Sequence, residues 1–130
     1  MSVHRYTSWG RTRRPKNVAG EGNEASSSTS DPSAATDGHK TENQRYLHLI
    51  LKESQNSSKT ITVFGYFYGA GIWTELSTID TDGTPQAINI TAQNTTVHRV
   101  YELLGVDRVY FKASGALHDD DALYALTSTF

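Results

Sequence analysis

The chain has 130 residues, no cysteine, 36% hydrophobic residues and a formal net charge of −2. That is room for one domain, and it excludes a disulfide framework or a thiolate metal site. With no apolar h-region near the start and no apolar run of membrane-spanning length, the sequence predicts a soluble chain without a conventional export signal.

The small net charge hides an asymmetry. Residues 1–20 hold Arg5, Arg11, Arg13, Arg14 and Lys16 and no acid, which leaves all 14 acidic side chains to the rest of the chain. A cationic tip on an anionic body implies two surfaces for two different neighbours. From Asn17 to Gln44 the sequence is mostly Gly, Ala, Ser, Thr, Asn, Asp and Glu, with Val18 the only large aliphatic residue. Such a segment buries too little apolar surface to offset the entropy of ordering it. Residues 1–44 are therefore predicted to be a long, extended, low-complexity N-terminal arm. Fully extended, at roughly 3.3 Å per residue, the arm would reach on the order of 145 Å.

Beyond residue 44 the pattern becomes β, and residues 45–130 are predicted to be one domain. Arg45 to Lys52 alternates Leu47, Leu49 and Leu51 against Tyr46, His48 and Ile50. The polar turn Gln55-Asn56-Ser57-Ser58 leads into TITVFGYFYGAGIWTELS, residues 60–77. The first half of that run is rich in β-branched and aromatic residues and free of proline. Neither of its faces is polar, so it predicts a strand covered on both sides. Ile61, Val63 and Phe67 seed the core, leaving Phe64, Tyr66 and Tyr68 for a second layer or a neighbouring subunit. Gly69-Ala70-Gly71 then turns the chain into a second strand with Ile72, Trp73 and Leu76. Asp80 to Pro85 reads as a turn, Ala87 to Thr91 as a short strand, and Leu123 to Phe130 as the closing strand. Arg108 to Ala113 alternates with Val109, Phe111 and Ala113 inward. Val97, Val100, Tyr101 and Leu104 fit one face of a helix, although the β-rich composition and the echo of His98-Arg99-Val100-Tyr101 in Asp107-Arg108-Val109-Tyr110 favour a strand.

Strands at this spacing predict an all-β chain folded as a single sandwich. The run Ile61 to Phe130 resembles small β-sandwich proteins of tailed-phage virions, which serve as capsid decoration (cement) proteins or as minor head or tail components. Phe64-Gly65-Tyr66 followed by Trp73, the turn and strand Gly105-Val106-Asp107-Arg108-Val109-Tyr110, and the closing Phe130 carry the resemblance. It implies a jelly-roll-like sandwich, attachment to a shell lattice and no enzymatic activity. The arm lies outside it.

The arm residues Arg5, Tyr6, Trp9, Arg11, Arg13, Arg14 and Lys16 suit docking on an acidic protein surface, with aromatic anchors and guanidinium forks to carboxylates. Nucleic acid is the less favoured partner, because the cluster stands alone on an acidic body. Phe64, Tyr66, Tyr68, Trp73 and Tyr110 are the candidate subunit interface. Tyr66, Tyr68, Trp73, Tyr101 and Tyr110 could alternatively form a platform for sugar rings. Asp80, Asp82, Asp119, Asp120 and Asp121 are the carboxylates a hard cation would use, but the full calcium-loop pattern is missing and Asp-Gly is ordinary turn chemistry. The histidines, His4, His39, His48, His98 and His118, show no metal-ligand spacing. No GxSxG, HExxH or glycine-rich phosphate loop occurs. The sequons at Asn56, Asn89 and Asn94 read as polar turns and strand edges.

The functional expectation is a non-enzymatic virion protein without cofactor or membrane partner, made in the host cytoplasm. It is expected on the outer capsid face, touching copies of itself, with its arm stapling neighbouring subunits of the major capsid protein or another shell protein. A minor head–tail or tail structural protein and a carbohydrate-binding module are the alternatives.

Overall fold

The computed structural model describes the backbone of Tyr6–Thr7 and Lys16–Asn17 and, from Ser28 onward, residues 28–80, 82, 84–118 and 120–128. The strands are β1 (Tyr6–Thr7), β2 (Lys16–Asn17), β3 (His39–Lys40), β4 (Tyr46–Glu53), β5 (Lys59–Phe67), β6 (Ile72–Glu75), β7 (Thr78–Ile79), β8 (Asn89–Ala92), β9 (Thr95–Glu102), β10 (Arg108–Ala113) and β11 (Ala122–Ser128). They form two antiparallel sheets, and the described residues contain no helix. The first sheet runs β1-β11-β4-β9-β7, with β2 also on β11; the second runs β3-β10-β5-β6, with β8 also on β5. The chain is an all-β sandwich.

Leu47, Leu49 and Leu51 from β4 and Leu123 and Ala125 from β11 face Ile61 and Val63 from β5, with Val109, Phe111 and Ala113 from β10 beside them. All of these are buried. The period-2 alternation read from the sequence is therefore the alternation that builds the core. Gly65 sits on the inward side of β5 because Leu76 fills its place. A Cβ there would lie 2.9 Å from Leu76 Cδ2.

The segment around residues 97–104 is a strand. Val97 and Tyr101 lie opposite Leu51 and Leu47 on β4 and point inward, whereas Val100 lies opposite His48 on the outer face. Leu104, the fourth member of the helical pattern, is 68% exposed in the turn that follows.

β4 begins at Tyr46, just past the expected boundary at residue 44, but the chain is already bound to the sandwich before it. Ser28 forms a parallel bridge to Lys112, donating its N–H to the Phe111 carbonyl and accepting from Ala113 N–H. β3 pairs with Arg108 and Val109. Both ends of the segment 29–38 are thus fixed on the same edge of β10. Gly38, with φ +73°, makes the return: a Cβ would lie 2.1 Å from the Val109 carbonyl oxygen, so no other residue fits there.

The end of the sandwich that holds the β4–β5 turn is pinned by two buried carboxylates. Glu53 accepts from Gln55 N–H at 2.7 Å and Asn94 N–H at 2.6 Å, tying that turn to the β8–β9 turn. Asp121 accepts from Ser54 N–H at 2.9 Å and His118 N–H at 2.8 Å. Asn56 and Asn94 take left-handed conformations in these turns, as asparagine tolerates. Burial works against the charge on Glu53, but the N–H donors of Asn94, Gln55 and Ser57 outweigh it and hold the carboxyl below its ordinary range. A depressed carboxyl stabilises the fold above the ordinary carboxylate range, and that contribution is lost as pH falls through the lowered value. The melting temperature of the wild type is therefore expected to fall more steeply with acidification than that of Glu53→Gln, which starts lower at neutral pH. Thermal melts across the acid range check this.

Candidate interaction surfaces

The outward residues of the second sheet form a continuous aromatic cluster. Register places Phe64 beside Tyr110 and Tyr66 beside both Trp73 and Arg108. Tyr66 and Trp73 have ring centroids 5.1 Å apart, Trp73 and Tyr110 meet edge-on at 6.0 Å, and Phe64 and Tyr110 at 6.3 Å. This is the surplus face of β5.

Residues 29–38 lie across that face. Tyr110 donates its hydroxyl to the Ser30 carbonyl at 2.7 Å, and Trp73 Nε1–H donates to the Ala34 carbonyl at 3.1 Å. Arg108 donates to the carbonyls of Thr36, Asp37 and Gly38. Lys112 pairs with Asp31 at 2.6 Å, an exposed contact of small energetic value. Within the segment, Asp37 accepts from the N–H groups of Ser33 and Ala34, which hold its carboxyl below the usual range with help from Arg108. The sheet supplies donors and the loop supplies backbone acceptors, so a Ser- and Ala-rich sequence is ordered without an apolar stripe of its own.

Of the expected interface residues, Phe64, Tyr66, Trp73 and Tyr110 are thus brought together beneath the chain's own loop. Tyr68 is separate, 77% exposed at the β5–β6 turn. With Leu104 it borders a cleft of about 430 Å³ that Gln44, Arg45 and Gly105 also line. Tyr101, counted among the platform aromatics, belongs to the core: it is fully buried, and burial pushes its phenol well above the ordinary range. The sugar-platform arrangement of Tyr66, Tyr68, Trp73, Tyr101 and Tyr110 is therefore not what the fold assembles. Register is the reason, since Tyr101 alternates inward opposite Leu47.

Of the arm residues, Tyr6 lies in β1 and Lys16 in β2; Arg5, Trp9, Arg11, Arg13 and Arg14 lie outside the described residues. β1 places Tyr6 opposite Ser128 and Thr7 opposite Thr127, while β2 places Lys16 opposite Ala125 and Asn17 opposite Tyr124. β1 and β2, the described residues before and after 8–15 in sequence, thus pair with the same strand, β11.

The carboxylate clusters serve the loops. Asp80 accepts from Asp82 N–H, Thr84 N–H and Gln86 Nε2, and Asp82 accepts from the N–H and hydroxyl of Thr84. The hydrogen bonds with Asp80 and Thr84 draw the Asp82 carboxyl down to about 2. Asp120 accepts from Gln55 Nε2 at 3.3 Å, Asp121 is buried as described above, and Asp119 lies outside the described residues. Among the described residues no group of three or more His, Asp or Glu is placed to hold a metal.

Sequence spacing did not bring out one pair of histidines. On the outer face of the first sheet, His48 Nδ1 and His98 Nε2 are 3.2 Å apart, and His48 Nε2 lies 3.2 Å from Ser128 Oγ. The only sequence signal was that each histidine sits on the outward alternation of its strand. Ser128 is fully buried, so its hydroxyl orients His48 and is closed to a substrate.

These surfaces define a two-sheet sandwich whose N-terminal segment is fastened to both sheets. No family model matches the chain, and no curated protein matches it in sequence. In fold it is similar to the crystal structure of the SPBc2 prophage-derived protein YomS. The TM-score is 0.59 and the identity 16%, over 98% of this chain and 96% of that one. The match reaches well beyond residues 45–130 and takes in most of the N-terminal segment.

The loop 29–38 depends on its donors. Arg108→Ala removes three hydrogen bonds from one charged group and is expected to cost about 2 kcal/mol. It should also open a fast proteolytic cut within residues 29–38 and expose the aromatic cluster to a hydrophobic dye. Chemical denaturation, limited proteolysis and dye fluorescence check this. Lys112→Ala, at the exposed rim, serves as the control and should change stability by less than about 1 kcal/mol.

Proposed function

We propose that this chain is a non-enzymatic structural protein of a phage particle, of the capsid decoration or cement type. The observation that carries the reading is the placement of β1 and β2 on β11. It holds Tyr6–Thr7 and Lys16–Asn17, which flank most of the basic residues in sequence, against one strand of the sandwich. Such an anchor suits docking, because the ordering cost falls largely on folding and not on binding. The likeness to a prophage-derived protein over nearly the whole of both chains supports a phage setting.

In this reading Trp9 and Tyr6 are the apolar anchors on an acidic shell surface, and Arg5, Arg11, Arg13, Arg14 and Lys16 pair with its carboxylates. Copies of the protein on one shell gain by multivalency what each contact lacks alone. Tyr68, Ile72 and Leu104, all more than half exposed, are the residues offered for contact between copies. A minor head–tail or tail position uses the same chemistry at a different place on the particle. The carbohydrate alternative loses support, since Tyr101 lies in the core and Tyr66, Trp73 and Tyr110 lie under residues 29–38.

Density-purified particles produced from the genome that carries this gene are expected to contain the chain in many copies, with heads enriched over separated tails by mass spectrometry. Particles lacking the chain should take up the full-length protein but not a form deleted for residues 1–27. That deletion spares Ser28 and the loop over the aromatic face, so it should still unfold cooperatively. Equal uptake of the two forms would remove the arm from the proposal, and absence of the chain from purified particles would overturn the virion reading.

A further inference from the structure

The outer face of the first sheet carries a groove of about 710 Å³ lined by Tyr46, His48, Ile79, Asp80, His98 and Glu102, among others. His48 and His98 lie on the adjacent strands β4 and β9, at diagonal positions of the ladder. Their ring centroids are 5.4 Å apart with planes 20° apart. With a 3.2 Å contact between Nδ1 and Nε2, that separation requires the rings to meet edge to edge and not face to face. Two imidazole nitrogens therefore point toward one another on the outer face of the sheet. His48 is half-buried and His98 exposed.

We propose that His48 Nδ1 and His98 Nε2 form a two-histidine site for a divalent transition metal of the zinc class. Two nitrogens bound to a tetrahedral zinc at about 2.0–2.1 Å lie about 3.3 Å apart, close to the 3.2 Å of the hydrogen bond that joins this pair. An ion takes the place of the shared proton when both rings turn so that their lone pairs converge on one point beside that line, the exposed His98 turning furthest. The second shell is present as well. Ser128 Oγ faces His48 Nε2 and accepts the proton that stays on that nitrogen when Nδ1 binds metal. His98 keeps its proton on Nδ1.

The charges around the pair suit a cation. Asp80, Asp82 and Glu102 line the same groove. Among the described residues two guanidiniums line it too: Arg45 pairs with Glu102 at 3.5 Å and offsets that carboxylate, and Arg99 donates to the His98 carbonyl at 2.9 Å. Two protein ligands leave the remaining positions of a tetrahedral ion to water or to a group from a second molecule. The site does not depend on the virion reading.

Titration of the full chain with zinc chloride alone, followed by calorimetry and by NMR of the imidazole protons, tests the site. The expected result is one ion per site with the His48 and His98 resonances shifted, and affinity falling on acidification, since a protonated imidazole cannot bind metal. His98→Ala and His98→Gln, both at an exposed position, should lose at least about tenfold in affinity, and Ser128→Ala about tenfold through the second shell. His118→Ala, on the loop by Asp120, should leave binding unchanged. Zinc binding of equal strength in the wild type and both His98 variants would overturn the proposal, as would resonances of the pair that do not move at saturation.

Discussion

Strand β5 carries apolar or aromatic side chains on both faces, and much of the architecture answers that constraint. Its inner face, Ile61, Val63 and Gly65 with Leu76 seated against it, is closed by the leucines of β4 in the facing sheet. Its outer face, Phe64 and Tyr66 with Tyr110 and Trp73 alongside, needs a second cover. A two-layer sandwich has none to give from its strands, so the chain lays residues 29–38 over it. The cover adds little apolar surface of its own. It is held because the aromatic side chains and Arg108 carry polar groups that donate to its carbonyls. The bodies of these side chains are buried while their polar edges are satisfied, the arrangement that favours Tyr, Trp and Arg over purely apolar residues at such a seam.

The same constraint explains which parts of the fold were legible in the sequence. Leu47, Leu49 and Leu51, and Val109, Phe111 and Ala113, announce their strands by strict alternation, and the structure uses those faces. The surplus of Phe64, Tyr66 and Tyr68 announced a second layer or a neighbouring subunit but not that the chain's own residues 29–38 cover the first two, with Tyr68 left exposed. Residues 28–40 gave no signal, because their composition argues for an unordered segment and only the donors on a distant sheet reverse that balance. Composition reports what a segment can bury; it is silent on the hydrogen bonds a segment can accept. The histidine pair was illegible for a related reason. His48 and His98 are brought together only by the pairing of β4 with β9.

Residues 97–104 show a local pattern overruled by register. Val97, Val100, Tyr101 and Leu104 have helical spacing, yet the same positions fit a strand with Val97 and Tyr101 inward, Val100 outward and Leu104 in the turn beyond. Pairing with β4 decides the matter. It places Tyr101 against Leu47 and Val97 against Leu51, burying both on the face that the leucines define. A helix here would leave that edge of β4 without a partner and its backbone N–H and C=O groups unpaired. Tertiary pairing therefore outweighs the weak preference of an isolated segment.

The two ends of the sandwich differ in kind. At one end Glu53 and Asp121 bind backbone N–H groups of the neighbouring turns and close the sandwich with charge. At the other, Tyr68 and Leu104 are left exposed around the cleft beside Arg45. β1 begins opposite Ser128 at this second end, since Arg45 N–H donates to the Ser128 carbonyl and the Arg45 carbonyl accepts from Leu103. β1 thus enters the fold on the side of Tyr68 and Leu104 and away from the buried carboxylates Glu53 and Asp121.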